Sequence, residues 1–131
     1  MIVNPAYIYM AEKIEPTNPV IWNNGPVNYP YTTSNADFIE TRFNIRAQGY
    51  VDFTLPLKGY TKVSFQVAGS GAFTIGVANA PETTKTYTLK GGPVPTLVYD
   101  IPAAHRKNGV AIRIKNNTNQ YIDYAYSGKM E

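Results

Sequence analysis

The chain has 131 residues, no cysteine, 44% hydrophobic and 16% charged residues, and a formal net charge of +3. That size and balance describe one ordinary globular domain and exclude a wholly disordered chain. Lack of cysteine excludes a disulfide framework and a thiolate metal site, and so mild a positive charge does not define a nucleic-acid binder.

The segment Met1–Met10 lacks a basic leader, and Asn4-Pro5 interrupts its apolar stretch, so no signal peptide is expected. No run approaches the roughly 18 apolar residues of a membrane-spanning helix. Pro5, Pro16, Pro19, Pro26 and Pro30 cut the first 35 residues into extended pieces. Proline lacks a ladder donor, so these pieces read as edge strands or loops. Strands are expected over Ala6–Ala11 and Val20–Trp22, with a turn at Asn23-Asn24-Gly25-Pro26. Residues 1–35 thus read as an extended Pro/Asn/Tyr-rich arm preceding a regular core over 36–131.

Within that core, Phe38–Ile45 and Tyr50–Leu55 read as strands around a turn at Gln48-Gly49, with Val51, Phe53 and Leu55 on one face. Val63, Phe65 and Val67 alternate with polar residues, as do Phe73, Ile75 and Val77, and Gly69-Ser70-Gly71 between them reads as a hairpin turn. Lys85–Lys90 forms a further strand closed by Gly91-Gly92-Pro93. Leu97, Tyr99 and Ile101 continue the alternation, and Pro102–Gly109 reads as a single helical turn. Val110, Ile112 and Ile114 follow. In the last strand Tyr124 and Tyr126 are expected inside, in phase with Ile122, while Tyr121 faces out. A period of two suits half-buried antiparallel strands. About eight such strands predict a single all-β domain, an antiparallel jelly-roll-like β-sandwich with an N-terminal arm.

Reaction chemistry is sparse. His105 is the sole histidine and lies in a basic stretch, His105-Arg106-Lys107, with no adjacent carboxylate to orient it. Gly69-Ser70-Gly71 is neither a nucleophile elbow nor a dinucleotide fingerprint. A carboxylate pair such as Asp52 with Asp123 would need the fold to assemble it. An enzyme is therefore not expected. One histidine and no cysteine argue against zinc. Structural Ca²⁺, which needs only oxygen ligands, has no EF-hand spacing to support it, so no metal or cofactor is expected. Arg113 and Lys115 share a strand face near Arg106 and Lys107, but a solvated face needs charges in any case, so nucleic acid is not favoured.

Glycan binding is better served. Trp22, Tyr29 and Tyr31 lie among Asn23, Asn24, Asn28, Thr32, Thr33 and Asn35, and Tyr121 adds an outward ring. Flat rings suit the apolar faces of pyranoses, while amides and hydroxyls suit their OH groups. Trp22, Tyr29, Tyr31 and Tyr121 are the candidate ligand-binding residues. The opposing reading packs Trp22 into the core.

Lys62-Val63-Ser64-Phe65-Gln66-Val67, Phe73-Thr74-Ile75-Gly76-Val77, Tyr99-Asp100-Ile101-Pro102 and Gly109-Val110-Ala111-Ile112-Arg113-Ile114 give the stretch from Tyr60 to Tyr126 its texture. That texture resembles the C-terminal half of galactose-binding-like jelly rolls, the β-sandwich of many carbohydrate-binding modules. The resemblance implies either of two settings: secreted glycosidases or bacteriophage virions. With no leader in view, the expected function is a non-enzymatic virion structural protein, decorating a capsid or serving as a fibre or attachment component. Its expected partners are other virion proteins, as a homo-oligomer. The alternative is a carbohydrate-binding module or adhesin recognising a surface glycan.

Overall fold

The computed structural model describes residues 17–131 as nine strands and no α-helix. In chain order these are β1 (Val20–Asn23), β2 (Tyr31–Ile39), β3 (Arg42–Pro56), β4 (Lys62–Ala68), β5 (Ser70–Val77), β6 (Ala80–Lys90), β7 (Thr96–Asp100), β8 (Asn108–Asn116) and β9 (Asp123–Met130). One 3₁₀ turn, Ala103–His105, occupies the place of the expected helical turn. The expected strand Ala6–Ala11 and the first part of the arm lie outside the described residues. The rest of the arm, from Thr17, contains β1 and the start of β2.

Every pairing is antiparallel, and the long strand β3 belongs to both layers of the sandwich. Its second half pairs with β8, from Tyr50 opposite Lys115 to Leu55 opposite Val110. Beyond β8 come β5 and β6, and the first half of β2 flanks β3 on the other side. The first half of β3, Phe43–Ile45, pairs instead with β9, which leads to β4 and β7, while β1 runs beside β9.

The β2–β3 ribbon turns this corner at a register shift between Ser34 and Ala36. Asn35 and Gln48 take left-handed conformations there, with φ of 50° and 61°. Gly49 is required at the corner: a Cβ on it would lie 2.3 Å from the Asn35 carbonyl oxygen and 2.9 Å from that of Arg46. Bulges and bends of this kind let a strand pass from one sheet to the other.

The core lies between the layers. Val51, Phe53, Leu55, Phe73, Ile75, Ile112 and Ile114 from one layer meet Phe43, Ile45, Val63, Phe65, Val67 and Tyr99 from the other. The periodicity of those strands therefore runs as expected. Three details differ. Gln48-Gly49 is a corner inside β3, and the turn between β2 and β3 is at Glu40-Thr41, where Glu40 has a φ of 61°. Gly69–Gly71 is no hairpin, since β4 and β5 do not pair and lie in opposite layers. The last strand is out of phase with expectation: Asp123 and Ala125 are buried, whereas Ile122 is 45% and Tyr126 39% exposed. Tyr124 also faces outward, opposite Asn44 and beneath the Arg42 guanidinium.

Candidate functional site

The expected sugar-binding rings do not assemble. Trp22 has no exposed surface. Its ring stacks on Phe53 at 5.4 Å, meets Phe43 edge-on at 5.0 Å, and its Nε1 donates to the Thr41 carbonyl. Trp22 is therefore a core residue with no face open to a ligand, a correction that follows from β1 laying its indole between the layers. Tyr29 is half-buried, and its hydroxyl donates to the Asn18 carbonyl. Burial raises its pKa, with Tyr60 adding to the effect. Tyr31 is 39% exposed and rests edge-on against Phe43, while Tyr121 is 49% exposed in the β8–β9 loop. Among the described residues no aromatic contact joins any two of these four rings.

A different cluster forms on the outer face of the layer β6-β5-β8-β3-β2. Along β3, Val51, Phe53 and Leu55 point into the core, so Tyr50, Asp52 and Thr54 point out. Along β8, burial of Val110, Ile112 and Ile114 sends Arg113 and Lys115 to the same outer face. Antiparallel register then sets Asp52 opposite Arg113 and Tyr50 opposite Lys115.

The Arg113 Nε and Nη2 donate to the two Asp52 carboxylate oxygens at 2.8 and 2.9 Å. Its guanidinium lies over the Tyr50 ring, 3.8 Å from the centroid. The Asp52 side chain is only 17% exposed. Hydrogen bonding to the Asp52 carboxylate raises the Arg113 pKa against the opposing cost of burial. A two-point fork and a ring contact hold this cation in one orientation, unlike an isolated surface ion pair.

Hydroxyls flank the cluster on both sides. Thr32 and Ser34 of β2 stand opposite Asp52 and Tyr50. Thr74 of β5 stands opposite Lys115, with Thr86 of β6 opposite Thr74. Beside Arg113 a hollow of about 220 Å³ is lined by Thr74, Pro81, Thr84, Lys115 and Asn117 among others. Its β6 wall stands close: a Cβ on Gly76 would lie 2.8 Å from Thr84 Oγ1.

This face presents donors, acceptors and one stacked ring to solvent, which is equipment for holding a polar ligand. The remaining titratable groups do not converge on it. Asp123, the other half of the carboxylate pair considered above, is buried between the layers, whereas Asp52 is on the outer face. His105 sits in the 3₁₀ turn between β7 and β8. Among the described residues no group of three or more His, Cys, Asp or Glu side chains is placed to hold a metal.

Sequence reading places Arg113 and Lys115 on one strand face but leaves Tyr50 and Asp52 out of the site. The alternation around Val51, Phe53 and Leu55 marks those two residues as outward. Nothing local marks their partner strand.

No family model and no curated protein matches the chain. Similar solved structures are family 29 carbohydrate-binding modules. A Glu-to-Arg mutant of one is 15% identical, with a TM-score of 0.62 over 85% of this chain and 89% of that one. A mutant complexed with mannohexaose is 16% identical, with a TM-score of 0.56 over 85% and 89%. A mutant complexed with cellulohexaose is 14% identical, with a TM-score of 0.58 over 85% and 88%. At such identities the likeness shows a shared fold, the β-sandwich of a carbohydrate-binding module. None of the three is described as a virion component, so the expected virion role gains no support from them.

Proposed function

We propose that the chain is a non-catalytic carbohydrate-binding module that holds a glycan on the outer face of its β6-β5-β8-β3-β2 layer, centred on Tyr50, Asp52 and Arg113. The observation that carries this reading is the Asp52–Arg113–Tyr50 stack, a preoriented cation on a solvent-facing sheet. The guanidinium donors and carboxylate lone pairs left over from that fork suit sugar hydroxyls, and hydrogen bonds to charged groups are worth more than neutral ones. Tyr50 supplies apolar ring surface beside them, and the threonines extend polar contact along the strands. The fold's likeness to modules solved with mannohexaose and cellulohexaose supports the ligand class.

Titration calorimetry against a panel of neutral, uronate and sulfated oligosaccharides, including those two hexaoses, tests the proposal. Arg113→Ala should weaken binding about tenfold or more, the loss of a charged hydrogen-bonding partner. The variant should stay folded, with its thermal midpoint lowered only modestly by loss of the Asp52 fork. Binding indifferent to this substitution, or no binding to any member of the panel, would overturn the assignment.

A further inference from the structure

Charge on the outer face is uneven. The Asp52 carboxylate engages two of the three guanidinium nitrogens of Arg113 and offsets its charge from the β3 side. On the β5–β6 side the hollow beside Arg113 is lined by Lys115, Thr74, Thr84, Asn117, Gly76, Val77, Ala78 and Pro81, with no carboxylate among them. None of the ion pairs among the described residues uses Lys115. Two cationic side chains, Lys115 and Arg113, thus line a hollow with the hydroxyls of Thr74 and Thr84, and its lining holds no carboxylate.

We infer that the glycan held on this face carries an anionic group, which seats in the hollow against Lys115 and Arg113. The inference rests on the glycan-binding reading and names the ligand class within it: a uronate or sulfated saccharide rather than a neutral one. The positive net charge of the chain acts in the same direction over longer range. The local pairing of ammonium with hydroxyl donors is what separates a seated anion from general attraction.

The test compares oligogalacturonate with its fully methyl-esterified form, so that the backbone is the same and only the carboxylate charge differs. Chondroitin sulfate, mannohexaose and cellulohexaose complete the set. Oligogalacturonate should bind at least tenfold more tightly than its ester at low salt, with the gap shrinking as salt rises. Lys115→Gln should close most of that gap. Lys107→Gln removes the same charge at the other end of β8, ahead of Asn108, and should leave the gap intact. Chondroitin sulfate binding in place of oligogalacturonate, with the same dependence on Lys115, would support the inference and place the anion on a sulfated, uronate-bearing backbone. Equal affinity for acid and ester, or equal effects of the two lysine variants, would overturn it. Binding of the neutral hexaoses alone would overturn it while leaving glycan binding in place. No binding to any of the five would remove the glycan reading itself.

Discussion

Asp123 has no exposed surface, and neither of its carboxylate oxygens has a hydrogen-bond partner. It lies against the backbone of Gly69, where an added Cβ would be 1.9 Å from Oδ1. Burial drives its pKa up to about 7, and the nearby Ser70 backbone offsets only part of that rise. The folded chain therefore keeps this proton at pH values where the unfolded chain, titrating near the ordinary 3.8, has lost it. The contribution to stability is fully present below about pH 4 and is lost as pH rises to about 7. Asp123→Asn should flatten that slope and raise the thermal midpoint at pH 8 by on the order of 5 °C. Parallel pH profiles for parent and variant, followed by thermal unfolding between pH 4 and 8, would count against it. An unpartnered carboxylate inside the sandwich was not legible in Tyr121–Tyr126, where the tyrosines offer the more apolar alternation. Hydrophobicity alone chose the wrong phase of β9.

At the scale of elements, the β2–β3 corner concentrates the most conformational constraint. Asn35 Nδ2 donates to the Ala47 carbonyl at 3.0 Å, and the Gln48 amide nitrogen donates to the Thr118 carbonyl at 3.1 Å. The corner is thus fastened both to itself and to the β8–β9 loop. Gly49 packs against the backbone of Asn35, which cannot swing aside as a side chain would. Gly49→Ala should lower stability by about 2 kcal/mol or more, a cost typical of overpacking, measured by urea unfolding. A change within about 0.5 kcal/mol, ordinary for a neutral surface position, would show that the corner relaxes. Individual strands are readable because burial imposes a period of two on Val63–Val67, Phe73–Val77 and Val110–Ile114. Which strand meets which is not. Gly69-Ser70-Gly71 has hairpin chemistry yet joins the two layers, and Asp52 finds Arg113 at 61 positions' separation. Local residues encode a turn's shape, and only the global packing decides the partner. That is why Arg113 and Lys115 were legible as a pair while the four-residue site was not.

For the whole molecule, Trp22 is the side chain on which both layers close. It touches Phe53 from one layer and Phe43 and Phe65 from the other, and Gly128 opposite it leaves room for the ring. Trp22→Ala should destabilise the fold by about 3–5 kcal/mol, as large aromatic-to-alanine core truncations do. Denaturant unfolding checks the loss, and a variant as stable as the parent would contradict the role of Trp22 as the closing residue. The shared strand β3 has an evolutionary corollary. From Tyr50 to Leu55 it alternates strictly between outward and interior positions, so substitutions at 50, 52 and 54 can alter the outer face while 51, 53 and 55 preserve the interior. Insertion or deletion of a single residue there would exchange the two sets and forfeit both. Divergence of this outer face is therefore confined to point replacement at alternate codons, with changes of length relegated to the loops.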